Sequence, residues 1–583
     1  MEILSSPILL LPPEILVLIL ELLHLRDLLS IRQTCRGLSK ITYERELWMK
    51  MLGEQSSYLP LPRDLLDAYR REDTHLPEHS DAEIESVVTE AEIMSELWTR
   101  WRPQSPYKLQ RESVGNTLMG VKLFLDRWLL VVYFEGGVYL YDTQPPDPVT
   151  SSFSSASTSR LSRRVPILRA ARFLDSGLWI THAVSIDLKG QTIFLALSRS
   201  APPHMVQIYK INLAPLASES TSTVYPFHLL KSIPLPLYKV IRCMDPERKL
   251  IALSTSGLVE ILNWDECQGG SAGDSLNSQT ITVNADDQEG LWNGIIAVRF
   301  IGEYVLIFRT RSMEVLKYGP GCHSFTNSES PSLKHKFNMT FREVSFSETT
   351  TLYHPVSQTQ TSELSLFAYD VIQGLFHYVV RVRTSATLEI DADGIYPSLE
   401  VILTGVYPLA VSATLSQLYL PLLPAHDTPS GASPAAPANT AYSANFTPSP
   451  LPTPLSTHMP ARASLRMQSG LDGGARGFLS TQAIGAQGRR GMWIERKRAS
   501  TLREIQVWGQ ASPTALASYA RTPPSAGAAM AAVEIPRRIV HSLQSFDLRD
   551  DITCCAFGEL SGVIVLGHRS GDISVLELNG DDS

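Results

Sequence analysis

The sequence has 583 residues, of which 44% are hydrophobic and 19% charged, a composition typical of a folded protein with additional loop sequence. Its net charge of −8 argues against the basic surface that general nucleic-acid binding requires, so we expect no nucleic-acid partner. The six cysteines form no CxxC pair and have no metal-ligand spacing with histidine, which predicts reduced thiols, no metal and no cofactor. The adjacent Cys554 and Cys555 are expected in a strand rather than in a disulfide.

The stretch Leu11–Leu29 reads LPPEILVLILELLHLRDLL, and nine of the twelve residues from Glu14 to Leu25 are Ile, Leu or Val. Proline followed by an acidic residue is favourable in the first turn of a helix. Charged residues interrupt the run before about 20 apolar residues accumulate, and the basic start of a signal peptide is missing. The pattern predicts a helix that is apolar on most sides, no membrane contact, and a location in the cytoplasm, the nucleus or both.

Further short helices follow. Asp27 is placed to cap a second helix, and Gly37 to permit a turn before a third. The segment ERELWMKML (44–52) predicts another helix with four large apolar residues on one face: Leu47, Trp48, Met51 and Leu52. About 45 residues bury too little surface to be stable alone. The sequence therefore predicts that a second protein covers the first helix.

The order LPPEILVLILELLHLRDLLSIRQTCRGLSKITYERELW resembles an F-box, with its Leu-Pro start, its central D-L-L-x-I-R-x-T-C-R-x-L and a following Trp. The resemblance covers roughly residues 8–52, under a tenth of the chain, and implies binding to the Skp adaptor of cullin–RING ubiquitin ligases. It implies that the following residues contact the adaptor or complete the interface: Leu11, Pro12, Ile15, Leu16, Ile19, Leu28, Leu29, Ile31 and Cys35. The alternative is an intramolecular helical bundle completed by residues 80–101.

Residues 53–79 are proline-rich and polar, which predicts a connector. The next segment, DAEIESVVTEAEIMSELWTRWRP, starts with acidic residues, ends with basic ones and stops at Pro103, as a helix does. Its apolar residues recur at helical spacing, so we expect it to couple the F-box to the rest of the chain. The predicted domains are the F-box (5–52), the connector with its linker helix (53–104) and a strand-rich body (105–583).

In the body the apolar period changes to two, which is typical of strands. Several segments repeat one pattern: an apolar strand, a tight polar or glycine turn, and a second strand. Glycine suits hairpin turns that need positive φ. Tyr141–Asp142 and Trp264–Asp265 occupy the place where WD-repeat blades carry their namesake dipeptide. The segments are 127–142, 191–211, 248–265, 303–318, 363–382, 492–509 and 562–579.

These repeats predict a mostly antiparallel, degenerate WD-like β-propeller of about seven blades, in which stacking around a ring supplies the core. The whole chain is then an α+β multidomain protein. The alternatives are two β-sandwiches, or six or eight blades, because residues 384–424 could not be assigned. We expect the ring to close through an outer strand at 107–113 beside Ile573–Leu578, with Leu109 opposite Val575 as the first register to test.

The stretch from about 424 to 475 is rich in proline and small residues and is expected to be a disordered insertion, with Ser/Thr-Pro pairs that could be regulatory. The GxSxG string at 269–273 lacks the strand and helix of a hydrolase elbow. A cluster of basic residues is expected to be solvated strand positions rather than a phosphate site: Arg489, Arg490, Arg496, Lys497 and Arg498.

The sequence thus favours a non-catalytic receptor that binds the Skp adaptor through its F-box and an unidentified protein substrate through its propeller. The alternative is a propeller scaffold or enzyme with its own activity, whose F-box only controls its turnover.

Overall fold

The computed structural model describes residues 10–70, 80–100, 106–109, 117–144, 166–175, 177–187, 191–217, 226–255, 257–265, 278–282, 293–318, 333–354, 359–385, 398–409, 477–496, 500–510, 533–535 and 538–577. In this part of the chain no helix has the length and hydrophobicity needed to cross a bilayer. The residues up to 100 are helical, and those from 107 onward form strands with few exceptions.

Six helices build the N-terminal part of the described chain, which we call the helical head. They are α1 (Pro13–Leu20), α2 (Leu25–Arg32), α3 (Arg36–Ile41), α4 (Arg45–Gln55), α5 (Arg63–Arg70) and α6 (Asp81–Arg100). Their shared core is centred on large side chains of α2 and α4 that are completely enclosed: Leu28, Leu47, Trp48 and Leu52. The predicted apolar face of the 44–52 segment is therefore the main wall of this core.

Three local predictions in the head are wrong. His24, not Asp27, is the residue that precedes α2, so Asp27 lies in the first turn of this helix. The earlier start lets α2 bury both Leu25 and Leu28. Gly37 lies inside α3 rather than in a turn before it. The predicted connector contains α5, whose Leu65 and Leu66 join the core of the head.

After the head the described strands form seven sheets, as predicted, and β1 (Tyr107–Lys108) precedes them in sequence. Blades 1 to 4 each contain four consecutive antiparallel strands. Their bounds are β2 (Leu118–Phe124), β3 (Trp128–Tyr133), β4 (Gly137–Asp142) and β5 (Ile167–Phe173); β6 (Trp179–Asp187), β7 (Thr192–Arg199), β8 (Met205–Asn212) and β9 (Phe227–Pro234); β10 (Val240–Asp245), β11 (Leu250–Ser254), β12 (Leu258–Asn263) and β13 (Ser278–Thr282); β14 (Ile295–Ile301), β15 (Tyr304–Arg309), β16 (Ser312–Lys317) and β17 (Leu333–Lys336). A short helix, α7 (Ala214–Ala217), follows β8.

Blades 5 to 7 depart from this simple order. Blade 5 has two additional strands, because β19 pairs with β20 and β26 lies parallel to β22. The bounds in blade 5 are β18 (Phe341–Phe346), β19 (Thr350–His354), β20 (Thr359–Asp370), β21 (Gly374–Ser385), β22 (Ser398–Pro408) and β26 (Val533–Glu534). Blade 6 contains β23 (Phe478–Ile484), β24 (Arg490–Arg496), β25 (Leu502–Gly509) and β27 (Arg538–Gln544), and blade 7 contains β1 with β28 (Ile552–Phe557), β29 (Ile564–His568) and β30 (Ile573–Leu576). A 3₁₀ turn, Leu548–Asp550, precedes β28.

Every predicted hairpin is the second and third strand of one blade, which confirms the propeller over the two-sandwich alternative. The turn glycines Gly136 and Gly571 have φ of +89° and +87°, as such hairpins require. The unassigned region 384–424 contributes β22, the fourth strand of blade 5, and its segment 416–423 lies outside the described residues. The predicted insertion at 424–475 also lies outside them.

The two WD-like dipeptides have different environments. Asp142 is fully buried at the end of β4 and accepts hydrogen bonds from Arg127 at 2.8 and 2.9 Å and from Arg169 at 3.2 Å. Burial alone would raise the pKa of Asp142, but these donors hold it below its usual value. Asp265 is exposed and pairs with Lys249. Asp142 therefore links residues of blade 1 through buried hydrogen bonds. Asp265 forms only an exposed ion pair, which contributes little to stability.

The ring closes as predicted, through pairing of β1 with β30 in blade 7. Tyr107 lies opposite Val575, Lys108 lies opposite Ser574, and the Leu109 N–H donates to the Ile573 carbonyl at 3.0 Å. The expected pairing of Leu109 with Val575 is wrong by two residues. Residues 110–113 of the predicted strand lie outside the described residues. Cys554 and Cys555 lie in β28 of the same blade as free thiols, as predicted.

The helix α6 belongs to two hydrophobic cores. Ile84, Val88 and Ala91 pack into the head, whereas Trp98 packs among residues of blades 6 and 7. The Trp98 indole N–H donates to the Trp508 carbonyl at 3.1 Å, and its ring lies 5.7 Å from that of Phe557. The predicted coupling role of this helix is confirmed: it joins the head to the propeller.

We expect Lys108→Cys with Ser574→Cys to form a crosslink under mild oxidation, detected by mass spectrometry of the digested chain. This pair alternates with the hydrogen-bonded Leu109–Ile573 pair, so its Cα atoms should be about 4.5 Å apart, within disulfide range. The matched control, Leu109→Cys with Val575→Cys, is diagonal in this register and should crosslink much less. Preferential crosslinking of the control pair would contradict the register.

Replacing Trp98 by Ala should destabilise the chain by about 3–5 kcal/mol, because a buried indole and its hydrogen bond are lost. Equilibrium unfolding in denaturant measures this free energy. The control is Ile93→Ala on the same helix, where the side chain is 53% exposed and the change should stay within about 0.5 kcal/mol. Equal effects of the two substitutions would show that Trp98 does not anchor α6.

Candidate protein-docking surface

The head exposes apolar side chains along one side of α1. Leu11, Ile15, Leu18 and Leu22 recur at helical spacing and are 38%, 43%, 54% and 83% exposed. Leu10 and Ile19 extend this surface, which we call the outer face of α1. Each of these side chains would gain roughly 1.5–3 kcal/mol on full burial. A contiguous apolar surface of this kind is typical of a protein-binding site.

The opposite side of α1 is already covered. Val17 and Leu20 pack into the core of the head, and Leu16 is only 3% exposed. Helix α6 completes this core, so the alternative of an intramolecular bundle describes the inner side of α1 correctly. The described part of α6 leaves the outer face of α1 uncovered. The described chain therefore buries one side of α1 and leaves the other side exposed.

The structure divides the sequence-predicted adaptor residues into three groups. Leu11, Pro12, Ile15 and Ile19 are exposed, Leu29, Ile31 and Cys35 are half-buried, and Leu16 and Leu28 are buried. Leu16 therefore offers almost no side-chain surface to a partner in this conformation. Cys35 caps α3, where its sulfur accepts a hydrogen bond from the Leu38 N–H at 3.5 Å. Leu10, Leu18 and Leu22 were not among the predicted residues.

Polar contacts fix the helices around this surface. Arg32 of α2 pairs with Glu85 of α6 and donates to the Thr42 carbonyl at 3.1 Å. The Trp48 indole N–H donates to the same carbonyl at 2.8 Å, and the Arg32 guanidinium lies 4.1 Å above the Tyr43 ring. At the end of α1, Glu21 pairs with Lys50 of α4. These contacts hold α1 and α2 in a defined orientation.

The head also rests on a turn of blade 6, residues 485–489. Leu61 and Gln487 exchange hydrogen bonds, with the Leu61 N–H donating at 3.1 Å, and Arg489 donates to the Ser56 carbonyl at 3.4 Å. On the neighbouring blade 5, Glu348 pairs with Arg63 of α5. A polar cavity of about 260 Å³ lies between these elements. Among the described residues, the head therefore has three separate attachments to the propeller, counting Trp98.

Glu559 in blade 7 organises this turn. Its carboxylate accepts backbone hydrogen bonds from Gln487 at 2.6 Å, Arg489 at 2.7 Å and Arg490 at 3.0 Å. Burial raises the pKa of Glu559, and these donors together with the Arg490 charge offset that effect only in part. Glu559 thus positions the turn on which the head rests, a role that no feature of the local sequence indicates.

The predicted solvation of the basic cluster is wrong for two of its members. Arg490 is 2% exposed, donates to the Glu559 carbonyl at 2.5 Å, and its guanidinium carbon lies 5.2 Å from the Trp98 ring. Burial lowers the pKa of Arg490 to about 10. Arg489 contacts the head as described above. Arg496 is partly exposed beside Asp551, and Lys497 and Arg498 lie outside the described residues.

Comparison with known families gives one match, in which residues 8–53 fit the F-box-like model. No curated protein matches the sequence. Among solved structures, the β-propeller domain of Myceliophteria thermophila Cps50 (Swd1) is similar over 82% of this chain and 100% of its own, with 8% identity and a TM-score of 0.39. Kluyveromyces lactis Hsv2 follows with 80% and 95% coverage, 8% identity and a TM-score of 0.35. The WD40 β-propeller domain of Doa1 has 82% and 98% coverage, 7% identity and a TM-score of 0.34.

These TM-scores are too low to support an argument about the fold. The propeller is identified from its seven sheets. The family match coincides with α1 to α4, the helices that carry the outer face of α1 and its supporting core. Residues 8–53 are therefore an F-box-like domain, and this domain is attached to a seven-bladed β-propeller.

Proposed function

We propose that this protein is a non-catalytic substrate receptor of a Skp–cullin–F-box ubiquitin ligase. Its F-box-like domain binds the Skp adaptor, and its propeller binds a protein to be ubiquitinated. One observation supports this most strongly: the outer face of α1 is apolar and exposed within a domain of the F-box-like family. Proteins with this combination present substrates, while other subunits of the ligase carry out the transfer of ubiquitin.

The adaptor would cover the outer face of α1. Leu11, Ile15 and Ile19 are its central residues, and Leu18 and Leu22 extend it toward α2. The half-buried Leu29 and Ile31 continue the apolar surface, while Leu28 supports it from the core of the head. An interface with an apolar centre of this kind and charged groups at its margin, such as Glu14 and Glu21, is typical of stable protein pairs.

The attachment of the head gives the receptor its geometry. A ligase must hold the lysines of its substrate within reach of a ubiquitin-carrying enzyme, so the adaptor-binding domain needs a fixed orientation relative to the substrate-binding domain. Trp98, the Gln487–Leu61 pair and the Arg63–Glu348 pair supply three points of attachment on blades 5, 6 and 7. We propose that these contacts serve this purpose, and that the protein acts in the cytoplasm, the nucleus or both.

The test is the triple substitution Leu11→Ala, Pro12→Ala and Ile15→Lys, which removes apolar contacts and places a charge at the centre of the outer face. Burying an unpaired charge in an interface costs several kcal/mol, so co-purification with the Skp adaptor should be lost. Thermal unfolding should show that the propeller is still folded. The measurement is binding of the full chain to purified adaptor.

The matched control is Leu258→Lys on β12, where the side chain is 40% exposed, close to the 43% of Ile15, and lies on the propeller. This variant should bind the adaptor as tightly as the unaltered chain. Retained adaptor binding by the triple variant would contradict the proposed receptor function.

A further inference from the structure

The seven inner strands β2, β6, β10, β14, β18, β23 and β28 contact one another in ring order and surround the channel of the propeller. Although the whole chain has a net charge of −8, positive charge predominates on these described strands. The charged residues and histidines on them are Lys122, His182, Asp187, Arg242, Asp245, Arg299, Arg342 and Glu343.

Lys122 lies two residues before the end of β2, opposite Leu130. Its neighbour Val121 is buried, yet the Lys122 side chain is exposed. Because β2 is flanked by β6 and β28, solvent reaches the Lys122 side chain through the channel. Desolvation by the surrounding protein and repulsion from Arg299 both lower the pKa of the Lys122 ammonium. Within the described residues, no carboxylate pairs with Lys122.

Arg299 occupies the corresponding position in blade 4. Lys122 and Arg299 each lie two residues before the last residue of their inner strand, Phe124 in β2 and Ile301 in β14. They are therefore at similar depth, near the end of the channel where the turns that follow the inner strands lie, including the turn that supports the head. Desolvation lowers the pKa of Arg299, and in the described chain it has no ion-pair or hydrogen-bond partner.

The nearby carboxylates do not neutralise these cations. Asp245 is engaged by the Glu247 and Arg248 N–H groups at 3.1 and 3.2 Å, and it attracts Arg299 only from a distance. Burial raises the pKa of Glu343 to about 7, so at neutral pH it is only partly charged. Asp187 ends β6 and has another partner.

Of the remaining basic groups on the inner strands, Arg342 is the second residue of β18 and so lies toward the other end of the channel. Arg242 is satisfied by Ser254 Oγ at 2.8 Å and by the carbonyls of Ile296 and Ile295 at 2.8 and 3.0 Å. His182 is neutral, because desolvation lowers its pKa to about 4, and so it can donate one hydrogen bond. Gly120 makes room for it, since a Cβ there would lie 2.6 Å from His182 Cε1. His182 therefore lies beside the strand that carries Lys122.

We propose that the channel binds a small multivalent oxyanion of the phosphate class, held by Lys122 and Arg299 with His182 as a neutral donor. Two uncompensated cations at similar depth call for a ligand with more than one negative charge. The ammonium of lysine and the planar fork of arginine both suit phosphate oxygens. Because these groups lie toward the head-supporting end, the ligand is a free anion inside the ring, separate from the protein substrate.

The test is calorimetric titration of the full chain with inorganic phosphate, pyrophosphate and tripolyphosphate, at constant ionic strength set with chloride. We expect saturable binding of one anion per chain, tighter for the condensed phosphates, and a thermal unfolding midpoint that rises with anion concentration. Lys122→Gln and Arg299→Gln should each weaken binding by about tenfold or more. In chloride alone these variants should unfold at or above the temperature of the unaltered chain, because an unpaired charge is gone.

The matched controls are Lys317→Gln and Lys336→Gln, which remove the same charge from the outer strands of blade 4. They should bind the anions as the unaltered chain does. Equal losses in control and channel variants would show general charge screening and overturn the site. If the neutral variants do not fold, Lys122→Arg and Arg299→Lys keep the charges and should still bind the anions saturably, with the larger loss for Arg299→Lys because the planar fork of arginine is removed. If saturable binding is lost neither in these variants nor in the unaltered chain under raised chloride, the site is overturned. Absence of saturable binding to the unaltered chain overturns the proposal by itself.

Discussion

The structure depends on the burial of one helix in two cores. Helix α6 has 20 residues and so spans about 30 Å. Its first half completes the small core of the head, and its second half ends with Trp98 inside the propeller. The helices α1 to α4 alone, about 45 residues, would bury little apolar surface. By sharing α6, the chain stabilises the head and sets its orientation with the same side chains.

This arrangement also explains why α1 remains open on one side. The core of the head is closed by α4 from one direction and by α6 from the other, and Val17 and Leu20 fill the space that is left. The outer face of α1 has no further element of the described chain to pack against. Within the described residues, the exposed surface therefore results from the way in which the head is stabilised, and it is the surface that we propose for the adaptor.

The sequence predicted those elements of the fold that show a regular spacing of apolar residues within a short segment. Helices α1, α4 and α6 and the seven hairpins follow from spacings within about 20 residues, and ring closure follows from a missing outer strand. The register of β1 could not be read, because a shift of two residues keeps every side chain on the same face. The helix α5 was missed because its few apolar residues are surrounded by prolines and charges. The additional strand β26 was missed because its partner β22 lies more than 120 residues earlier.

The sequence predicted which helix carries the candidate site, but not which of its side chains are exposed, because that depends on contacts with distant residues. The F-box pattern identifies α1, but it does not tell which of its leucines and isoleucines face inward, so Leu16 was assigned outward and Leu18 and Leu22 were left out. Arg490 reads as a solvated strand residue because its partner Glu559 is 69 residues away. Lys122 likewise reads as an ordinary solvent-facing position of an alternating strand. Only the closed ring shows that it faces a channel.

The most direct test of the central claim is hydrogen–deuterium exchange of the full chain with and without purified Skp adaptor. If the outer face of α1 is the docking surface, backbone amides of α1 and α2 should exchange more slowly in the complex. The turn at 485–489 and the strands of blades 1 to 4 should be unchanged. Protection of the propeller with no change in α1 would contradict the account.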